Sequence, residues 1–193
     1  GDMHRWDFEA SQYDIEDIWH YNYVTINNCN NILSHIDAIT GEDADQAATL
    51  SMIKGEAYLM RAICYHTLAL RFAKDYEPGT AASTLGLPLM TEPDPNAKPS
   101  RSTLEQTYQL IKDDISAARA NLKTAGAANS IYFTVDVINA LEARVDLYMH
   151  NYASAINLSK GLIANYPLDT KANEFASMWL NDESSEVIYR TFQ

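Results

Sequence analysis

The sequence predicts an all-α protein, a right-handed superhelix or bundle of paired antiparallel helices, and two observations support this. Apolar residues recur at spacings of three and four along most of the chain, which places them on one face of a helix. Five of the six prolines lie in one stretch, 74–101, so helix breakers are nearly absent elsewhere. The 193 residues, 47% hydrophobic and 21% charged, suit a single domain over 1–193 with one sizeable core.

Two long helices are predicted at the amino-terminal end. The first carries one apolar stripe and ends before Gly41. The second carries apolar residues on two faces, so we expect it to be covered on both sides and to form the centre of the bundle. Cys29 and Cys64 fall inside these helices at different levels, which predicts two small buried thiols and no disulfide. The stripe of the first helix consists of Ile15, Ile18, Asn22, Ile26, Cys29, Leu33 and Ile36. One face of the second helix consists of Leu50, Ile53, Ala57, Met60, Cys64 and Leu68. Its other face consists of Tyr58, Ala62, Tyr65, Ala69 and Phe72.

The stretch 74–101 is predicted to form turns and extended segments, because its prolines and glycines exclude regular helix. A connection of this length usually packs as a structured loop or carries function. A third helix follows, and Ser102 with Glu105 three residues later has the spacing of a capping box. Its predicted core face is Leu104, Tyr108, Ile111, Ile115, Ala118 and Leu122.

The fourth and fifth helices are predicted to form a hairpin of tetratricopeptide type. From Tyr152, an alanine follows after three residues and Pro167 after fifteen, which matches the second half of the tetratricopeptide pattern, although the Trp and Leu-Gly of the first half are missing. Thr134 is the predicted cap of the fourth helix. The two helices can approach closely because of the small residues Ala140, Ala143 and Ala155. The space between the helices is predicted to be filled by Tyr152, Ile156 and Ile163. The predicted core face of the fourth helix is Ile138, Leu141, Val145 and Tyr148.

The carboxyl-terminal segment 186–192 alternates between apolar and polar residues, which is typical of a short strand. No partner strand is evident in the sequence. We therefore expect the chain to be part of a longer protein whose remaining sheet lies outside it.

The net charge of the chain limits the classes of partner that we expect. The chain has 26 acidic and 14 basic residues and a formal net charge of −12, which repels phosphate backbones and anionic lipids. Nucleic acid is therefore not expected as a partner. No apolar run approaches the roughly 20 residues that a membrane-spanning helix needs.

Residue patterns for catalysis or metal binding are also missing from the sequence. The five histidines are scattered, without the spacing that gathers a metal on one helix face, and no phosphate loop or nucleophile motif occurs. Asp113 and Asp114 are adjacent and point about 100° apart on a helix, so we expect a solvated face rather than a facing acid pair. Glu56 and Arg61 lie among apolar neighbours and are expected to form a structural polar network. These patterns predict a protein that is not an enzyme and has no cofactor.

Six segments, in order, resemble the SusD/RagB-like family of glycan-binding lipoproteins. They span Trp19 to Ile188, and their number and order carry the resemblance. The segments are Trp19-His20-Tyr21-Asn22-Tyr23-Val24-Thr25-Ile26 with Asn30 to Leu33, Gly55-Glu56-Ala57-Tyr58-Leu59-Met60-Arg61-Ala62, Leu85-Gly86-Leu87-Pro88-Leu89, Ile111-Lys112-Asp113-Asp114-Ile115 with Ala118, the tetratricopeptide-like hairpin, and Glu186-Val187-Ile188.

The resemblance implies a surface-exposed protein of the outer membrane in a Bacteroidetes-type bacterium. Such a protein is held to the membrane through a lipid on an upstream cysteine, docks on a SusC-like TonB-dependent transporter and passes oligosaccharides to it. The chain looks like the amino-terminal part of a family member. The alternative is a tetratricopeptide-type adaptor that binds a protein or peptide.

The candidate ligand-binding residues are Arg5, Trp6 and Asp7. Sugar recognition combines flat aromatic faces with charged or amide groups on the hydroxyls, and this segment holds both before the first helix. The resemblance adds that family members often contribute binding residues from this region. Packing of Trp6 onto the bundle is the alternative. Trp19 and Tyr23 are expected to serve core packing.

Overall fold

The computed structural model describes residues 13–181 and 183–191 and has six α-helices and one small sheet within them. The all-α prediction is confirmed. The helices are α1 (Tyr13–His35), α2 (Ala44–Phe72), α3 (Leu104–Asn121), α4 (Val135–Tyr148), α5 (Tyr152–Asn165) and α6 (Ala172–Asn181), and the strands are β1 (Leu85–Pro88) and β2 (Arg101–Thr103). A 3-10 turn, Ile36–Ala38, follows α1.

Helix α2 is the central element, as predicted, because it packs against α1 on one side and α3 on the other. Its residues Leu59, Ala62, Tyr65 and Leu68 are fully buried. The helix starts at Ala44 because the side chain of Asp43 accepts a hydrogen bond from the backbone N–H of Gln46 at 2.8 Å. Apolar residues on both faces thus place α2 in the core.

Glycine sets the distance between α2 and α3. A Cβ atom on Gly55 would lie 2.8 Å from the backbone nitrogen of Leu122 and 2.9 Å from its Cβ. The absence of a side chain therefore allows the middle of α2 to touch the end of α3. The predicted face of α3 is buried throughout.

The capping box of α3 lies one residue later than predicted. Thr103 caps the helix, and its side chain and that of Gln106 each bond the other's backbone N–H, at 3.1 and 3.0 Å. Ser102 belongs to β2 and its hydroxyl donates to the carbonyl of Leu87 at 2.8 Å. Antiparallel pairing of β1 with β2 extends the backbone through Ser102, so the helix cannot begin there.

Helices α4 and α5 form the predicted hairpin, and Thr134 caps α4. One part of the packing prediction is wrong. Tyr152, Ile156 and Ile163 are 53%, 53% and 64% exposed, whereas Ala155, Leu162 and Tyr166 are buried. Two apolar faces exist on α5, and the face with the small alanine packs inward because it permits the closer approach. Tyr148, predicted in the core face of α4, is also exposed.

The predicted strand at 186–192 is not formed in the described part, which ends at residue 191. One parallel bridge joins Tyr189 to Ser130, supported by bonds from Asn129 N–H to Val187 O at 2.7 Å and from Arg190 N–H to Ser130 O at 3.0 Å. Val187 closes a turn onto Ser184, which prevents a longer extended run.

The two cysteines match their prediction. Cys29 and Cys64 are free and buried. Burial raises the pKa of the Cys29 thiol to about 11 and that of Cys64 to about 12, so both are neutral at physiological pH.

Candidate functional site

A buried polar cluster joins three helices and the long loop. Arg61 on α2 binds both carboxylate oxygens of Asp114 at 2.8 and 2.7 Å and donates to the Oδ1 of Asn30 at 2.8 Å. The expectation for Arg61 is thereby met. The expectation for Asp114 is wrong: it is only 2% exposed, whereas Asp113 is exposed. The rotation of about 100° per residue on α3 turns Asp114 towards Arg61 and leaves its neighbour in solvent.

The same region attaches the loop after β1 to the helices. The hydroxyl of Tyr65 donates to the carbonyl of Met90 at 3.0 Å and accepts from its N–H at 2.7 Å. Asn30 donates to the carbonyl of Met90 at 3.0 Å, and Tyr23 donates to that of Pro88 at 2.8 Å. Burial raises the pKa of both phenols, that of Tyr65 to about 12, so both keep the proton that they donate.

A groove of about 280 Å³ lies where this loop meets α1, and we call it the aromatic groove. Trp19 and Tyr23 form one wall, with ring centroids 4.8 Å apart. The other lining residues are Pro88, Met90 and Pro99 from the loop. Trp19 also packs edge-on against Phe72, with centroids 5.0 Å apart, so the core-packing prediction for Trp19 and Tyr23 is confirmed.

Aromatic and proline side chains dominate the lining of the aromatic groove. Such a surface can accept the apolar face of a sugar ring by stacking. The hydroxyl of Tyr23 already donates to Pro88, so its oxygen can still accept from a ligand, but donors to a ligand's hydroxyls would have to come from other residues.

The sequence-predicted site residues Arg5, Trp6 and Asp7 lie outside the described residues. They remain a prediction. The loop side of the aromatic groove, Pro88, Met90 and Pro99, was not predicted. The signal available for it was the unusual length of the proline-rich connection, which indicated a structured loop without showing what the loop contacts.

Two further findings concern chemistry. Among residues 13–181 and 183–191, no group of three or more His, Cys, Asp or Glu side chains is arranged to hold a metal ion. In the same described part, none of the helices has the length and apolar character that crossing a membrane requires.

Comparison with known proteins identifies the family. The profile of a SusD-like family, described as starch-binding and associating with the outer membrane, matches residues 2–147. A SusD superfamily protein of Bacteroides thetaiotaomicron superposes with a TM-score of 0.77 and 28% identity, over 90% of this chain and 38% of that one. A putative sugar-binding protein of Bacteroides vulgatus superposes with a TM-score of 0.74 and 25% identity, over 88% of this chain and 38% of that one.

The fold extends to more distant proteins. Surface glycan-binding protein A of Bacteroides fluxus shares the fold with a TM-score of 0.66 at 16% identity, over 89% of this chain and 35% of that one. No curated protein matches the sequence significantly. The chain spans about 38% of the length of the first two solved structures. With the family profile matching about three quarters of the sequence, the chain belongs to the SusD-like family.

Proposed function

We propose that this protein is the surface glycan-binding component of a SusC/SusD-type nutrient uptake system. The match of residues 2–147 to the SusD-like family carries the proposal. The similar protein of Bacteroides vulgatus is named a putative sugar-binding protein, which supports the same ligand class. The protein would capture oligosaccharides without converting them, at the outer surface of the outer membrane, held by a lipid on a cysteine upstream of this sequence.

The aromatic groove is the proposed stacking surface for sugar. Trp19 and Tyr23 present flat rings at a partly exposed position, and the loop residues close the other side. Arg5, Trp6 and Asp7 precede α1, the helix that carries this wall, and we propose that they supply the charged and hydrogen-bonding groups that the groove lacks.

Docking on a SusC-like TonB-dependent transporter is assigned to the helical scaffold. The exposed side of α5 presents Ile156 and Ile163, about two helical turns apart along one stripe. A row of exposed apolar side chains of this kind favours burial against another protein.

Calorimetric titration of the full-length protein with a panel of oligosaccharides tests the proposal. Trp6→Ala and Trp19→Phe should each weaken binding by about tenfold, because each removes or shrinks a stacking face. Trp179→Ala is the matched control, because Trp179 on α6 is 70% exposed and is not one of the groove's lining residues. Loss of affinity in the control alone, or no binding of any glycan, would contradict the proposal.

A tetratricopeptide-type adaptor is the second candidate, favoured by the same exposed residues of α5. An adaptor would bind a peptide through apolar contacts and show no preference for sugars. Titration with an amphipathic helical peptide separates the two. Peptide binding that Ile156→Asp abolishes, without any glycan binding, would favour the adaptor.

A further inference from the structure

A different cavity, lined mainly by polar residues, lies at the turn between α4 and α5. It has a volume of about 500 Å³, and we call it the turn cavity. Its lining consists of Lys112 on α3, Asp146 on α4 and the segment 150–154, which includes the first turn of α5. None of these residues belongs to the groove assigned above.

Asp146 offers an unused acceptor in this cavity. The residue is 1% exposed, and its Oδ1 accepts from the ammonium of Lys112 at 2.9 Å. The other oxygen, Oδ2, is buried and has no hydrogen-bond partner among the described residues. Buried carboxylate oxygens normally have partners, so this oxygen indicates a donor that the described residues do not supply.

The start of α5 brings backbone donors to the same cavity as that acceptor. Asn151 occupies the N-cap position but makes no side-chain capping bond. The first backbone N–H groups of an α-helix have no partner within the helix, and the first three residues of α5, Tyr152, Ala153 and Ser154, line the cavity. These groups favour an acceptor oxygen from a ligand.

A flat aromatic surface adjoins these groups. The rings of His150 and Tyr152 are stacked, with centroids 5.6 Å apart and planes inclined by 17°. Both residues are exposed. The stack therefore presents a face to solvent next to the polar groups.

The charges around the turn cavity select the ligand class. An anion would meet the carboxylate of Asp146 and that of Glu142, which lies 2.8 Å from the same ammonium. A cation would meet Lys112 and the positive end of α5. A neutral ligand with two adjacent hydroxyl groups can donate to the carboxylate and also accept from the N–H groups at the start of α5.

We propose that the turn cavity is a second carbohydrate subsite, which binds the vicinal diol of a neutral sugar. One hydroxyl donates to Oδ2 of Asp146, the neighbouring oxygen accepts from the N–H groups of α5, and the apolar ring face lies on Tyr152. Because Oδ2 is buried, the subsite requires Lys112, whose side chain is 27% exposed, to move aside when the sugar binds. The inference rests on the proposed glycan-binding function and adds a location to it.

Amide NMR spectra of the full-length protein test the subsite with maltose, cellobiose and xylobiose as probes. We expect saturable shifts of the Tyr152, Ala153 and Ser154 amides with at least one of them. Tyr152→Ala removes the stacking face and Asp146→Asn replaces the acceptor by a donor, so each should weaken this binding by about fivefold or more. Tyr132→Ala, which removes another exposed tyrosine, should change nothing.

The outcomes distinguish this inference from the proposed function. Calorimetric glycan binding without any movement of these three amides overturns the subsite and leaves the proposed function standing. The absence of glycan binding by either method overturns both. Tighter saturation of the same amides by inorganic phosphate than by the sugars would show an anion site and also overturn the inference. If Asp146→Asn fails to fold, the Tyr152→Ala result alone decides.

Discussion

Adjacent residues on one helix can have opposite environments, and Asp113 and Asp114 illustrate this. Asp113 accepts a bond from Gln109 at the surface, whereas Asp114 and Arg61 form a bidentate pair with side chains only 3% and 7% exposed. The pair also holds Asn30, which fixes the loop at Met90. The aromatic groove therefore depends on a buried ion pair whose members are not among its lining residues.

Neutralising the buried carboxylate tests this role. Asp114→Asn leaves the guanidinium of Arg61 buried without a counter-charge, and we expect a loss of about 3–5 kcal/mol in the free energy of unfolding. Asp113→Asn, one residue away in an exposed position, should change it by no more than about 0.5 kcal/mol. Urea denaturation of both variants measures the difference. Equal effects would show that the pair contributes no more than a surface charge does.

His66 links stability to pH. It is 3% exposed, packs against the rings of Tyr108 and Tyr148, and its Nε2 has no partner among the described residues. Burial, with a smaller contribution from Arg144, lowers its pKa from 6.5 to about 4. The neutral form is therefore the one that the fold accommodates.

The sign of the pH effect follows from this depressed pKa. Between pH 6.5 and about 4 the unfolded chain binds the proton and the folded chain does not, so stability falls as the pH falls through this window, by up to about 3 kcal/mol. His66→Phe should flatten this part of the stability profile, and the exposed His35→Gln should not. An unchanged slope in His66→Phe would show that other groups cause the acid sensitivity. Denaturation midpoints across this pH range provide the measurement.

At the scale of elements, periodicity predicted the helices well because the repeat of 3.6 residues is a local property of the sequence. It placed α2 at the centre from its two apolar faces alone. It failed on α5, where Tyr152 and Ile156 are exposed while Leu162 is buried. A stripe shows which residues share a face, but the neighbouring helix decides which face is covered. The cap of α3 moved by one residue for a similar reason, since pairing of β1 with β2 overrides the local motif.

Two helical glycines provide a matched pair for testing helix packing. A Cβ on Gly55 would meet backbone and side-chain atoms of Leu122 at under 3 Å, whereas one on Gly161 in α5 would meet nothing within 4 Å. Gly55→Ala should therefore destabilise the protein by about 1–3 kcal/mol despite the better helix propensity of alanine. Gly161→Ala should stabilise it by about 0.5–1 kcal/mol.

Thermal unfolding of the two variants measures this difference in stability. Opposite shifts of the melting temperature are expected. If both substitutions raise it, the contact between α2 and α3 can relax without cost, and Gly55 is not required for close approach.

At the scale of the whole molecule, the aromatic groove could be predicted only in part. The sequence indicated that Trp19 and Tyr23 pack and that 74–101 is a structured loop. It did not indicate that Pro99 and Trp19 would line one groove, because the segment between them contains the rest of α1, all of α2 and β1, whose packing sets that distance. The turn cavity escaped prediction for the same reason, since Lys112 and Asp146 meet only through the packing of α3 on α4.

Net charge yields a prediction for the whole molecule. The chain carries −12, yet the proposed sugar contacts are stacking and hydrogen bonds to a neutral ligand. Raising the salt concentration from about 50 mM to about 500 mM shortens the range of charge interactions but leaves such contacts nearly unchanged. Glycan affinity should therefore change by less than about twofold, whereas recognition through several ion pairs would weaken by orders of magnitude. Calorimetric titration at both salt concentrations measures this, and a loss of more than about tenfold would show that the ligand is bound through its charge.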